Sequence, residues 1–302
     1  MRVPLTRLAF AASTLVLCAA CTPSQTSADA PAPVESTPRQ AQVIDCYREN
    51  GFTALAAHRA GYADGFAENA LSSIRRSAEL GALYAEVDVA QSTDGVLYLM
   101  HDRTLDRTTN GSGSVAETAW SDIEGLQLVD PNGALLDETV PTLADTFTTA
   151  RDAGIFLNLD LKNVDRPTLV AAIEEAGAED EVIVIAYTVE HAAELHALNP
   201  DLVLSAPNNP EALTEAGVNL DNVYLWLGVG APDASIDAAL AERGIEAAAG
   251  LFPLENGDMA VYQSAAQAGL EILSINNVTT GSAALGGAEE LTRQIEICYT
   301  PG

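Results

Sequence analysis

Eight short apolar runs separated by stretches of helical periodicity leave this chain very few folds. The runs are Ala54–His58, Leu83–Asp88, Ile155–Leu161, Val182–Tyr187, Leu202–Ala206, Val223–Leu227, Ile245–Leu251 and Leu270–Asn276. Between them lie Ala-, Glu- and Leu-rich segments: Ala70–Leu80, Leu143–Ala153, Leu169–Glu175, His191–Leu198, Ile236–Arg243 and Met259–Ala268. Strands that alternate with helices pack as a parallel sheet with crossover helices. Eight such units close into a (β/α)8 TIM barrel, an α/β fold whose functional groups collect at the carboxyl ends of the strands. An open doubly wound sheet is the other closure, but no Gly-rich dinucleotide fingerprint follows the first run. The Gly-rich segment 281–287 reads most simply as a loop.

Polar residues interrupt two of the runs at strand spacing. In Leu157-Asn158-Leu159-Asp160-Leu161-Lys162 the leucines share one face, and Asn158, Asp160 and Lys162 share the other. Glu86 and Asp88 also share a face, so three carboxylates and the chain's single lysine can converge at the barrel mouth. After Asp88, Gln91-Ser92-Thr93-Asp94-Gly95-Val96 carries an Asp-Gly hairpin signal. A two-residue turn there would set Thr93 opposite Val96 and Asp88 opposite His101. The segment therefore reads as a hairpin excursion after the second strand.

The groups gathered between Ala57 and Gly113 suit metal-assisted chemistry on a phosphate. They include His58-Arg59-Ala60-Gly61, Glu68-Asn69, Glu86-Val87-Asp88 and the run from His101 to Gly111. Cleaving a phosphodiester requires neutralised phosphoryl oxygens, a nucleophile relieved of a proton and a leaving oxygen given one. Glu86, Asp88 and Asp160 are the candidate ligands for a hard divalent cation. His58 and His101 are the candidate base and acid. Arg59 and Lys162 are the candidate phosphate-binding groups. Simple alternation points Arg59 away from His58, so a bend at Gly61 must redirect it; a salt bridge under the rim is its other reading. His191 and His196 read as surface residues, while Tyr187 and Trp226 end strands and could line a pocket or pack in the core.

With 14 basic against 43 acidic residues, the chain carries a formal charge of −29. That argues against a nucleic-acid partner. An anionic substrate needs a local positive feature, most simply a bound cation. The acidity otherwise serves solubility.

At the N-terminus, Arg2 and Arg7 precede the apolar run Leu8–Leu17, which marks residues 1–20 as a signal peptide, too short to span a membrane lastingly. The small residues before Cys21 resemble the lipobox of bacterial lipoproteins, although Cys18 stands where that pattern usually has Leu. Lipidation of Cys21 is the expectation, with ordinary secretion as the alternative. Residues 21–42 are rich in Thr, Pro, Ser, Ala and Gln and read as a disordered tether spanning roughly 25 Å. Residues 43–302 then form a single domain at the periplasmic or outer cell surface. Cys46 and Cys298 lie near its two ends; in an oxidising compartment they can pair, or remain as two buried thiols.

His58-Arg59-Ala60-Gly61, Glu68-Asn69, Glu86-Val87-Asp88, His101–Gly111, Pro141-Thr142-Leu143 and Asp160-Leu161-Lys162 together resemble the glycerophosphodiester phosphodiesterases. The resemblance is strong over residues 54–162 and weak beyond. It implies a barrel enzyme that splits glycerophosphodiesters into sn-glycerol 3-phosphate and an alcohol with Ca²⁺ or Mg²⁺. Departures are Ala67 where the family usually has Pro, and Asp160 where the third metal carboxylate is usually Glu. Ala247–Phe252 and Ile275-Asn276-Asn277-Val278 replace the family's Trp-Thr strand and Thr-Asp-x-Pro turn, which bears on the leaving-group pocket. Alternatives are a sphingomyelinase D-like or phosphatidylinositol-specific phospholipase C-like enzyme, or a non-catalytic phosphodiester-binding lipoprotein.

Overall fold

The computed structural model describes Met1 and residues 38–299. The expected signal peptide, Cys21 and most of the expected tether lie outside the described residues. Where the tether was expected to run to residue 42, helix α1 (Arg39–Asn50) already begins after Pro38. The sequence hides it because its apolar stripe, Val43, Ile44 and Tyr47, is short and follows a Pro-rich stretch.

The strands are β1 (Ala54–Ala57), β2 (Tyr84–Gln91), β3 (Leu97–Leu99), β4 (Gln127–Val129), β5 (Leu135–Thr139), β6 (Phe156–Leu161), β7 (Val182–Ile185), β8 (Val203–Pro207), β9 (Val223–Val229), β10 (Ala247–Gly250) and β11 (Ile272–Ile275). After α1 come helices α2 (Leu71–Glu79), α3 (Trp120–Ile123), α4 (Leu143–Ala153), α5 (Arg166–Ala176), α6 (Val189–Leu198), α7 (Pro210–Glu215), α8 (Ala234–Ala241), α9 (Met259–Gln267), α10 (Val278–Ala284) and α11 (Ala288–Cys298). Strands β1, β2 and β6 to β11 pair in parallel, and β1 pairs with both β11 and β2, so the sheet closes into an eight-stranded barrel. Part of the Gly-rich segment read as a loop is helix α10, in which Gly281 is buried. A Cβ there would collide with Ile275, so the glycine serves close packing of helix on strand.

Strand alternation sorts the core into layers. Ala85, Val87 and Val89 of β2 and Leu157 and Leu159 of β6 face outward into the cluster packed under the helices. Tyr84 and Phe156 face inward with Ile183, Val203, Tyr224 and Ile272, and α1 closes this end with Val43, Ile44 and Tyr47. A third cluster, including Tyr98, Met100, Leu105, Ile123 and Leu128, supports the excursion between β2 and α4, which includes a second small sheet of β4 and β5.

The hairpin exists, but its register differs from the sequence expectation. Val89 pairs with Leu99, and the Met100 amide donates to the Asp88 carbonyl at 2.9 Å, so Met100 rather than His101 faces Asp88. The cause is a three-residue loop, Thr93-Asp94-Gly95, in which Gly95 takes φ 90° and the Ser92 amide reaches the Val96 carbonyl at 3.0 Å. No helix among the described residues is long and apolar enough to cross a membrane.

Cys46 of α1 and Cys298 of α11 are bonded, with Cα atoms 5.5 Å apart across 252 residues of sequence. Helices α1 and α11, at the two ends of the domain, bring them together. The Cys46→Ser/Cys298→Ser variant is expected to lose about 3 kcal/mol in urea unfolding, because so long a loop constrains the unfolded chain. Nearby, burial pushes the Glu271 carboxyl up to about 7, although the Ala247 amide donates to it at 2.8 Å. A folded value above the unfolded one means that stability is present at low pH and is lost as pH rises through the window from about 4.5 to about 7. Unfolding at stepped pH should show a decline on the order of 2–3 kcal/mol from this group, absent in Glu271→Gln.

Candidate active site

Register builds the centre of the site. β2 and β6 pair so that Glu86 lies beside Asn158 and Asp88 beside Asp160, one layer above Tyr84 and Phe156. Glu86, Asp88 and Asp160 are all buried, and each offers an oxygen within 4.8 Å of the other two. Burial, then the neighbouring Asp88, holds the Glu86 carboxyl well above the usual range, while the Arg59 amide opposes them. Lys162 answers part of the charge: its Nζ lies 2.8 Å from Asp88 Oδ1 and 2.6 Å from Asp160 Oδ2. Burial works against the lysine's charge, but the two aspartates outweigh it and raise its pKa. Asn69, in the left-handed region at φ 56°, holds Asp88 from two sides. Its Nδ2 donates to Oδ2 at 2.7 Å, and its Oδ1 accepts from the Asp88 amide at 3.0 Å.

These residues fit a hard cation. Among the described residues, Asp160 Oδ1 and Asn158 Oδ1 are buried oxygens with no hydrogen-bond donor. Acceptors left this way are costly unless a positive partner satisfies them. The donor set is all oxygen, as Ca²⁺ and Mg²⁺ prefer.

β1 delivers the next pair. Beyond Ala57 the chain makes a tight turn in which Arg59, Ala60 and Gly61 take φ of 48°, 66° and 78°. The bend expected at Gly61 thus starts two residues earlier, and it turns Arg59 inward. Its amide donates to Glu86 Oε2 at 2.7 Å, and its Nη1 donates to Glu68 Oε1 at 3.2 Å. His58 Nδ1 lies 2.7 Å from Asn276 Oδ1, and its ring stacks on Phe252 with centroids 4.2 Å apart. The Nε2 side faces Glu86, 3.9 Å from Oε2. Burial pushes the imidazole below its ordinary value, with the Asn276 bond opposing.

His101 arrives on the excursion. Arg59 Nη2 donates to its Nε2 at 2.8 Å, so Nδ1 carries the proton and donates to Asp102 Oδ1 at 2.8 Å. Arg107 closes a ring of charges: its Nε donates to Asp102 Oδ2 at 2.6 Å, and its Nη1 and Nη2 reach the Glu68 oxygens at 2.7 Å each. Arg107 first, then His101, holds the Asp102 carboxyl well below the usual range.

All seven candidate residues therefore meet at the carboxyl ends of β1, β2 and β6 and the start of the excursion. Beside them opens a cavity of about 470 Å³, lined by His58, Glu86 and Asp160 and also by Tyr187, Trp226 and Phe252. Tyr187 donates to Asp160 Oδ2 at 2.6 Å, so it belongs to the site rather than the core. His191 and His196 stay partly exposed on α6, away from the centre. Sequence reasoning gave no role to Asp102, Arg107, Asn158, Phe252 or Asn276. Asp102 and Arg107 were legible as charges within the His101–Gly111 run. Nothing in the sequence linked Phe252 or Asn276 to His58.

Residues 58–206, about half of the chain, match the family model described as the glycerophosphoryl diester phosphodiesterase family. Among curated relatives, a glycerophosphodiester phosphodiesterase of Caldanaerobacter subterraneus is 32% identical over 157 residues, 50% of this chain and 64% of that protein. The chain thus covers less than two thirds of that relative's length. A glycerophosphoryl diester phosphodiesterase structure from Parabacteroides distasonis aligns with TM-score 0.73 at 21% identity, over 86% of this chain and 92% of that one. An Oleispira antarctica phosphodiesterase, solved in complex with the product sn-glycerol 3-phosphate, aligns with TM-score 0.63 at 22% identity, over 79% of this chain and 98% of that one.

The crowding of buried carboxylates makes a stability prediction. In EDTA at alkaline pH, where Glu86 must ionise, Glu86→Gln should be more stable than the parent by on the order of 1 kcal/mol and melt at a higher temperature, because it removes a buried charge and keeps an acceptor for the Arg59 amide. Differential scanning calorimetry checks the sign; a lower melting temperature would count against mutual repulsion in this cluster.

Proposed function

The chain belongs to the glycerophosphoryl diester phosphodiesterase family, and from that membership we propose that it hydrolyses glycerophosphodiesters to sn-glycerol 3-phosphate and an alcohol. One observation carries the reading most: Glu86, Asp88 and Asp160, buried with oxygens within 4.8 Å of one another, have His58 and Arg59 beside them. The product-bound Oleispira antarctica relative supports the substrate class.

Glu86, Asp88 and Asp160, with Asn158 Oδ1 in reach of the same space, would hold one divalent cation, Ca²⁺ or Mg²⁺. Once bound, the cation would offset charge on the phosphoryl oxygens. Lys162 adds a fixed positive charge beside the carboxylates, and Arg59 a guanidinium that a phosphate can draw from Glu68 and His101. His58 keeps its proton on Nδ1 against Asn276 and presents Nε2 as an acceptor, which suits the general base. His101 is oriented by its Nδ1–H bond to Asp102, and once a phosphate draws Arg59 away its Nε2 is free to carry a proton to the leaving oxygen, which suits the acid.

We further infer that the chain is exported and tethered to a membrane surface through lipidated Cys21. This rests on Arg2, Arg7, the apolar run and the small residues before Cys21.

Incubating the purified protein with glycerophosphocholine tests the catalytic reading. EDTA should abolish turnover, and Ca²⁺ or Mg²⁺ should restore it. His58→Ala and His101→Ala should each lower kcat by roughly 100-fold or more. Asp160→Ala should remove the rise in melting temperature that the cation gives the parent. Full rate in EDTA, or in either histidine variant, would end the proposal.

A further inference from the structure

Asp160 is held on one side only. Its Oδ2 accepts from the Tyr187 hydroxyl and from Lys162 Nζ, each at 2.6 Å. Its Oδ1 is buried and has no donor among the described residues. Asn158, two residues earlier on the same face of β6, is divided in the same way. Its Nδ2 donates to the Tyr224 hydroxyl at 2.8 Å, and its Oδ1 is left buried without a donor. On each side chain one end is spent on the protein and a single oxygen remains. A carboxylate oxygen has lone pairs for about two partners, so two short donors leave Oδ2 nothing further to offer.

The two donors differ in what else they serve. Lys162 also reaches Asp88 Oδ1 at 2.8 Å, and it is the group that a phosphate would draw away. The Tyr187 hydroxyl is uncharged, so it keeps its place on Oδ2 when the lysine turns to substrate. Tyr187 lies just beyond β7, the strand paired with β6, and stands 62% exposed at the barrel mouth. Its ring therefore fills no core space, and the hydroxyl is the part tied to the site. Resting on the reading of Asp160 as a cation ligand, we propose that Tyr187 is a positioning residue. It confines Asp160 to a single coordinating oxygen, Oδ1, and thereby biases the site toward Mg²⁺ over Ca²⁺. Mg²⁺ demands a near-octahedral set of single oxygens, whereas Ca²⁺ accepts a larger and looser set that can include both oxygens of one carboxylate. Spending Oδ2 takes a contact from Ca²⁺ and none from Mg²⁺. Holding Oδ1 in a fixed orientation also favours the ion with the stricter geometry.

The test is calorimetric titration of the metal-stripped protein with Mg²⁺ and, separately, with Ca²⁺, in the parent and in Tyr187→Phe. That variant keeps the ring and removes only the hydroxyl, and circular dichroism in EDTA checks that its fold is intact. Tyr187→Phe should weaken Mg²⁺ binding by about tenfold or more, the usual cost of removing a partner that orients a metal ligand, and leave Ca²⁺ binding within about twofold. The ratio of the two affinities then moves toward Ca²⁺ by about tenfold, a shift that a general loosening of the site would not produce. An unchanged ratio, whether both affinities hold or both fall together, would overturn the inference and leave the cation site and the diesterase reading standing. If the parent binds neither ion, the reading of Glu86, Asp88 and Asp160 as cation ligands fails, and the inference falls with it.

Discussion

Three carboxylates buried within one small volume are the constraint around which the rest is arranged. At 4.8 Å, two unit charges repel by roughly 3 kcal/mol if the effective dielectric is about 20. Lys162 touches Asp88 and Asp160 and offsets their repulsion, but it makes no contact with Glu86. Among the described residues Glu86 has only the Arg59 amide and a distant imidazole, and its proton affinity rises. The cluster is therefore poor as a stabilising element and well suited to receiving positive charge. A barrel can carry it because its outer layer is so apolar. Alternating residues of β2 and β6 are fully buried under the helices, and that burial offsets the charged inner row.

The second arrangement is a ring that joins the excursion to the barrel. Glu68 accepts from both Arg59 and Arg107, Arg107 also holds Asp102, and Asp102 holds His101, whose Nε2 accepts from Arg59. None of these pairs alone would fix a side chain firmly, since several members remain partly exposed. Closed into a circuit, each shares a partner that is already ordered, so the entropy lost per bond falls. His101 is thereby placed from outside the barrel, while His58 is placed from the end of β1.

How much of this could be read from residues alone depends on how local the cause is. The eight barrel strands and the shared face of Asn158, Asp160 and Lys162 follow from alternation, which is a property of neighbours. The pairing of Asp88 with Asp160 needs only that β2 and β6 be adjacent and in step. The hairpin register failed by one residue because Asp-Gly can close a two- or a three-residue loop, and the choice shows only in Gly95 at φ 90°. Arg59 and Ala60 at positive φ were not legible, since L-residues rarely go there and only Gly61 signalled a turn. Contacts such as Asn276 on His58 span more than two hundred residues and leave no local trace.

That last contact changes what the divergent C-terminal strands mean. The segments around Phe252 and Asn276 depart from the family pattern, which seemed a matter for the leaving-group pocket alone. Instead they meet His58 directly, one by stacking and one through its Nδ1. Glu255 in turn fixes the turn, accepting from the Asn276 and Asn277 amides at 2.8 and 2.9 Å. A neutral amide oxygen, Asn276 Oδ1, orients the His58 imidazole, whereas a carboxylate, Asp102, orients that of His101. On the proposed reading, two histidines with such unlike partners would hold different roles, one taking a proton and the other giving one. On that reading the departures would reach the proton chemistry through orientation, and the asymmetry between the histidines follows from the last strand as much as from the first.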